Sequence, residues 1–462
     1  MTAPASTICC PACGYLADPS DPYPFRCPRA GTDDADHLLT RVLDPAAVRF
    51  PPVPTPVSNP AAPVSDTNPF LLYRTLMHSY HVATARGLPD GAYRDLVTSL
   101  DAAVAAVDGH GFRTTPFFRS PGLSDALGFD NDGGVWVKDE TANVSGSHKG
   151  RHLIGVLIHL AVMERCGLTD PAARPDLAIA SCGNAALAAA VVARAGGWRL
   201  TVFVPPDAQA SVVRQLHDLG AKVIACPREP GTPGDPAYLA LRRELDLGAL
   251  PFTTQGPENG LAIEGGLTLG YELVTDLAGG LGHLDHLIIQ VGGGALASSC
   301  VQALREAADL GAITRLPAIH TVQTTGAHPL ERAYQRVRAL LPPEPAPDAI
   351  RQTMAEAAQH RSAFMQPWPQ EPASVAAGIL DDETYDWRAV VEGMLATGGR
   401  PLVVSEDSLT QASRLAVART GIPVDPTGSS GLAGLFEMRR SGQVGDHDRV
   451  AVLFTGLERG TP

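Results

Sequence analysis

Short apolar, β-branched runs that alternate with Ala- and Leu-rich stretches constrain this chain more than any other feature. The runs are Val135-Trp-Val-Lys138, Leu177-Ala-Ile-Ala180, Leu200-Thr-Val-Phe-Val204, Lys222-Val-Ile-Ala225, Leu287-Ile-Ile-Gln-Val291, Ala318-Ile-His-Thr-Val322, Leu402-Val-Val404 and Val450-Ala-Val-Leu-Phe454. Helix-period segments such as Ala185–Arg194 and Leu409–Arg419 lie between them. Strands that are apolar on both faces need a sheet covered on both sides, and strands separated by helices pair in parallel. The expected fold is therefore α/β with mainly parallel sheet. Ligands of such folds bind outside the carboxyl ends of strands, so the residues just after each run are the ones to search.

The rest of the chain is organised differently. Residues 1–44 hold four of the eight cysteines, Cys9, Cys10, Cys13 and Cys27. Residues 45–69 are rich in Pro, Ala and Val, which forbids a helix and gives an extended, semi-rigid linker. A helical stretch follows over about 70–108. The net charge of −13 argues against a nucleic-acid partner, because a polyanion is repelled. No apolar run is long enough to span a bilayer, so no membrane partner is expected. The first residues lack a basic and then apolar leader, and the remaining cysteines sit singly in apolar segments; both features suit a cytoplasmic, reducing setting.

Four segments stand where ligands bind. Asn143-Val-Ser145-Gly146-Ser147-His148-Lys149-Gly150-Arg151 is a loop of small, hydroxyl-bearing residues that opens a helix. Its plain reading is a helix cap with a solvated lysine, yet a cation in a first helical turn is disfavoured by the helix dipole. Ser181-Cys182-Gly183-Asn184 ends an apolar strand and offers an amide to a ligand; the plain reading is again a cap. Gly292-Gly293-Gly294-Ala295 lets several backbone N–H groups converge on one phosphate, against the plain reading of a strand-to-helix turn. With Ala297 at its last position the run also fits a dinucleotide fingerprint, but the next strand ends in Gln323-Thr-Thr325 without the acid that fingerprint needs. Thr455 puts a hydroxyl at the end of the last strand, where a strand cap is the plain reading.

In this order the segments resemble the tryptophan-synthase-β-like (fold type II) enzymes that use pyridoxal 5′-phosphate (PLP), and among them threonine synthase and its relatives. Asn143–Arg151 is similar to the family's Asn-Pro-Thr-Gly-Ser-Phe-Lys-Asp-Arg, and Ser181–Ala186 to its Ser-Gly-Asn-Ala-Ala. Ile263-Glu264-Gly265-Gly266-Leu267-Thr268, Pro372–Gly378 and Asp425–Gly431 match later stretches, so the resemblance runs from about Thr114 to Thr455. It implies two three-layer α/β lobes, a smaller one over 135–265 and a larger one over 70–134 and 266–462, with PLP in the cleft. It implies that Lys149 carries PLP as a Schiff base and moves the substrate's α-proton. It implies cofactor contacts from His148, Asn184, Gly292, Gly293, Gly294, Ala295 and Thr455, and substrate contacts from Ser145, Ser181 and Gly183. The expected partner is a small amino acid, and the family's habit of pairing implies a homodimer.

Three departures bear on the substrate. Asn259-Gly260-Leu261-Ala262 lacks the arginine that threonine synthases often carry there. Lys149-Gly150-Arg151 loses the family's acid, and Arg214 replaces a family lysine. A phosphorylated substrate needs cationic clamps. Conversion of O-phosphohomoserine to threonine therefore stands beside dehydration of serine or threonine and a β-replacement of the cysteate synthase type. A non-catalytic PLP-binding protein is the alternative of another class. At the N-terminus, Cys10-Pro-Ala-Cys13 is similar to the first knuckle of the zinc ribbon found on some relatives, but Cys27-Pro-Arg-Ala30 lacks the last ligand of the second. A zinc site on Cys10, Cys13 and Cys27, completed by Cys9 or His37, and a degenerate metal-free ribbon both stay open.

Overall fold

A computed structural model describes residues 4–52, 67–228, 234–369 and 372–459. Most of the Pro-rich linker lies outside the described residues. Among the described residues the strands are β1 Ser6–Cys9, β2 Thr40–Leu43, β3 Phe117–Arg119, β4 Gly134–Asp139, β5 Leu177–Ala180, β6 Leu200–Val204, β7 Lys222–Ala225, β8 Leu250–Pro251, β9 His286–Gln290, β10 Ala318–Thr324, β11 Pro401–Val404 and β12 Arg449–Phe454. They form two α/β sheets and a small hairpin-like pair. The larger sheet has the order β11-β10-β9-β12-β4-β3, the smaller one β7-β6-β5-β8, and β1 pairs with β2. Every pairing in the two large sheets is parallel except that of the edge strand β3 with β4.

The central runs became strands because their side chains are buried on both faces, while the edge strands β7 and β11 are only partly covered. Val135, Val137, Ile288, Ile289, Val450, Val452 and Phe454 are all sealed from solvent. Helices cover both sides, as a parallel sheet requires. One sheet membership differs from the expected division of the chain. The β4 strand, placed by sequence in the smaller lobe, pairs along its whole length with β12 in the larger sheet. The reason is register: Val135–Val137 supply inward side chains to both faces beside β12, while the four-stranded sheet begins only at Leu177.

The segment over 70–108 is helical in pieces, Pro69–Leu72, His78–Ala85 and Asp90–Asp108, the last closed by Gly109 in the left-handed conformation. Helix Lys149–Arg165 carries the candidate lysine at its first position and crosses helix Ala262–Asp276. The crossing is close because glycines face each other there. A Cβ on Gly155 would lie 2.7 Å from the Gly265 Cα, and one on Gly265 would collide with the Arg151 carbonyl. The Glu-Gly stretch at 264–265 is thus a packing requirement of the helix that carries Lys149.

Candidate active site

The candidate residues meet because their strands are neighbours. β9, β12 and β4 are adjacent in the larger sheet, so the glycine loop, Thr455 and the Lys149 loop leave its carboxyl edge side by side. In the smaller sheet β5 and β8 are adjacent, which brings the Asn184 loop beside Thr253-Thr254.

The Lys149 loop is held in a specific shape. Ser145 has φ +57°, the one positive-φ non-glycine among the described residues, and Gly146 follows at +67°. A left-handed serine is uncommon and persists only where its surroundings impose it. Here Ser147 bridges to Gly456, and the His148 N–H donates to the Thr455 carbonyl at 3.2 Å. The last strand thus clamps the loop. The Lys149 Nζ donates to Thr254 Oγ1 at 3.3 Å. Burial pushes its amine below the ordinary lysine range, against the pull of Asp381 and Asp386. His148 is buried, and burial pushes its imidazole well below the ordinary value. Its ring lies edge-on to His152 with centroids 5.8 Å apart.

The other groups complete a cradle. Gly294 has φ +98° and caps helix Ala295–Asp309, whose free N–H groups favour an anion. Side chains on this loop would collide: a Cβ on Gly293 would lie 2.8 Å from Tyr385, and one on Gly292 would strike Asp381. Asn184 starts helix Asn184–Ala195 and accepts at Oδ1 from Arg459 Nε at 3.2 Å, so its N–H2 group remains to donate. Thr455 Oγ1 accepts from Gln290 Nε2 at 2.7 Å, which leaves its own hydrogen to point elsewhere. Ser181 and Gly183 stand at the end of β5, the Gly183 N–H donating to Ser181 Oγ at 3.4 Å. Buried Ser145 Oγ and Ser147 Oγ have no protein partner. Buried hydroxyls are normally satisfied, so this pair fits a polar ligand between them and Lys149. The residues present therefore fit PLP: a buried amine, a phosphate cradle, an amide donor and a hydroxyl at one cleft.

Five participants were not singled out from the sequence. Thr254, Gln290, Arg459, Asp381 and Asp386 lie in stretches whose only signal is polarity near a strand end or loop. The two carboxylates that face Lys149 differ in setting. Asp386 is fully buried behind the glycine loop, against Gly294, where a Cβ would lie 3.1 Å from its own. It lines a cavity of about 330 Å³ toward the N-terminal segment, and burial pushes its carboxyl up to about 8. Asp381 is half-buried on the cleft side.

The N-terminal segment forms a compact ligand set. One ligand atom each from Cys10, Cys13, Cys27 and His37 lies within 4.8 Å of the others, and Cys9 is not in the group. Cys10 Sγ and Cys27 Sγ are each 3.6 Å from His37 Nδ1, and Cys13 Sγ is 3.7 Å from Cys27 Sγ. Tetrahedral zinc with thiolate arms of about 2.3 Å gives edges of about 3.8 Å. His37 Nε2 meets Asp33 Oδ1 at 2.9 Å, the carboxylate contact that orients a ligating imidazole. The residues fit zinc, with His37 in the fourth place despite its unusual spacing. Metal analysis of the purified protein is expected to find one zinc per chain, and His37→Ala is expected to lower that occupancy. Full zinc in His37→Ala would remove the imidazole from the site.

The chain matches the family described as pyridoxal-phosphate dependent enzyme over residues 110–456. It is 23% identical over 343 residues to a threonine synthase of Methanocaldococcus jannaschii, covering 74% of each chain. It is 27% identical over 284 residues to a cysteate synthase of Methanoregula boonei, covering 60% of each. Its fold is similar to that of a fungal L-serine ammonia-lyase from Rhizomucor miehei, with a TM-score of 0.55, 20% identity, and 75% and 94% of the two chains covered. Among the described residues no helix is long and apolar enough to cross a membrane.

Proposed function

The chain belongs to the pyridoxal-phosphate-dependent enzyme family, and from that premise we propose that it removes the α-proton of a small amino acid and then eliminates or replaces a side-chain group. The observation that carries this is the convergence of a buried lysine whose amine burial pushes below its ordinary range, a glycine cradle, a free amide and a free hydroxyl on neighbouring strand ends. Lys149 holds the cofactor covalently. Gly292, Gly293, Gly294 and Ala295 hold its phosphate through backbone N–H groups, Asn184 its ring hydroxyl and Thr455 its ring nitrogen, with His148 beside it. Ser145, Ser181 and Gly183 take the substrate carboxylate. When bound, the cofactor supplies an electron sink for the carbanion. Lys149, whose uncharged form burial favours, takes the Cα proton in the cleft, where exclusion of water protects the carbanion. The free state of all eight cysteines supports a cytoplasmic setting.

Among reactions that share this first step, elimination from a hydroxy amino acid is better supported than the threonine synthase reaction on O-phosphohomoserine. Ala262, which stands where a clamp arginine is expected, is buried at the start of its helix and offers no cation. Arg214 is exposed on its helix. The protein purified with PLP is expected to show a visible band and, in heavy water, to exchange the α-proton of serine or threonine. Production of threonine from O-phosphohomoserine would assign the synthase reaction instead. Cofactor binding without α-proton exchange from any of these amino acids would make the chain a binding protein.

A further inference from the structure

Arg459 ties together loops from the two sheets. The chain leaves β12 as Gly456-Leu457-Glu458-Arg459 and is pinned from both sides. The Leu457 N–H donates to the Gly146 carbonyl at 2.8 Å, and the Glu458 N–H donates to the Pro423 carbonyl at 2.8 Å. So held, the half-buried guanidinium reaches two partners. Its Nη2 donates to the carbonyl of Ser145, the left-handed residue of the Lys149 loop. Its Nε donates at 3.2 Å to Oδ1 of Asn184, at the start of the helix that follows β5. Neither partner is a carboxylate, and Asp425 and Asp108 act on the guanidinium only through space. Its charge therefore falls on the two loops.

The bond to Asn184 decides what that side chain offers. A carboxamide has an oxygen that accepts and a nitrogen that donates, whereas arginine has donors alone. Bonding to Arg459 thus fixes the Asn184 oxygen toward the guanidinium and turns the amide nitrogen away from it. The nitrogen comes to lie over Gly456, next to Thr455, where a Cβ would be 2.8 Å from it. Without Arg459 nothing in this pair distinguishes the two orientations, and the flipped one presents an oxygen where the nitrogen stood. A cation on the amide oxygen also polarises the amide, which makes its N–H groups stronger donors.

We propose that Arg459 is a positioning residue for the cofactor: acting through Asn184, it holds the N–H2 group toward the ring oxygen and strengthens that hydrogen bond. This rests on the reading above in which Asn184 holds the ring hydroxyl. Donors to that oxygen favour its ionised form. The ionised form absorbs at longer wavelength than the protonated one, so the visible band reports the strength of the bond.

The test is a cycle of full-length variants, Asn184→Ala, Arg459→Met and the two combined, each titrated with PLP. Affinity and the position of the absorbance band are read, with far-ultraviolet circular dichroism as the folding control. Arg459→Met is expected to weaken PLP binding about 10-fold or more and to move the band to shorter wavelength, as Asn184→Ala does. The double variant is expected to bind PLP no more weakly than Asn184→Ala alone. Arg459→Lys, which keeps a cation and a donor, is expected to lie between wild type and Arg459→Met. It takes the place of Arg459→Met in the cycle if that variant does not fold. Losses that add in the double variant would mean that Arg459 acts by another route, such as the Ser145 carbonyl, and would overturn the proposal. Unchanged affinity and band in a folded Arg459→Met would overturn it as well. Unchanged affinity and band in Asn184→Ala would instead remove Asn184 from the ring hydroxyl, and the role of Arg459 with it.

Discussion

Lys149→Ala is expected to leave the protein folded, colourless and inactive. The lysine amine is buried at the first position of a helix, where a charge is opposed both by desolvation and by the helix dipole. It donates a hydrogen bond to Thr254 Oγ1. Removing it deletes no close ion pair, so the cost to stability is small beside the chemical loss. The chemical loss has two parts. Of the other two lysines, Lys138 is paired with Glu272 in the core and Lys222 is exposed on β7, so neither offers the cofactor an amine in this cleft. Loss of a general base alone lowers rates by about 10²–10⁴. The check is visible absorbance and turnover of wild type and variant after incubation with PLP, with far-ultraviolet circular dichroism as the folding control. Lys149→Arg sharpens it, since that variant keeps a cation of similar reach but no nucleophilic amine. A visible band in either variant would place covalent attachment on another lysine. The pH dependence has a definite sign. Attachment needs the uncharged amine, so its rate rises with pH through the amine's folded value. Burial depresses that value, so the rise is complete at lower pH than for an exposed lysine.

Part of this site was legible in the sequence for a physical reason. A strand buried on both faces is written as an unbroken apolar run, so β4, β5, β9 and β12 declare themselves, and their carboxyl ends follow at once. Lys149, Asn184, Gly292 and Thr455 are found because each lies in the first polar or glycine stretch beyond such a run. Short edge strands carry no such signal: β3 has three residues and β8 two, and both went unseen. Groups that arrive by long return loops were equally invisible. Asp381 follows no strand, and only the seating of residues 377–386 on the glycine loop brings it to Gly292. His37 joins the cysteines through the turn that precedes β2, at a spacing no ribbon pattern contains. The membership of β4 was misplaced because its partner β12 is over three hundred residues away in sequence, where no local pattern can report pairing.

Arg151→Met is expected to destabilise the protein by about 3–5 kcal/mol, because it breaks a buried charge network by removing one member. The network is fully enclosed. Arg151 Nε meets Glu140 Oε2 at 2.8 Å and Arg151 Nη1 meets Glu272 Oε1 at 2.6 Å, while Lys138 Nζ meets Glu272 Oε2 at 2.6 Å. Two cations balance two anions, and Thr268 Oγ1 and Asn143 Nδ2 add hydrogen bonds at 3.0 Å and 2.7 Å. These contacts join the end of β4, the start of the Lys149 loop and the crossing helix Ala262–Asp276. Without Arg151, Glu140 keeps a buried charge and loses the partner that stabilises it. Burial pushes the Glu140 carboxyl up, but Arg151 and the other donors outweigh it and pull it down to about 2. A carboxylate depressed in the folded state contributes stability that is present above its unfolded value and is lost as pH falls through the folded one. In wild type that contribution fades between about pH 4 and pH 2. In Arg151→Met it is missing at neutral pH, so the variant is expected to have a lower urea midpoint at pH 7 and a flatter acid profile over that window. Adding Glu140→Gln to Arg151→Met removes the stranded charge and is expected to recover part of the midpoint. A double variant less stable than Arg151→Met would mean that packing of the guanidinium, and not its charge, holds the Lys149 loop to its helix.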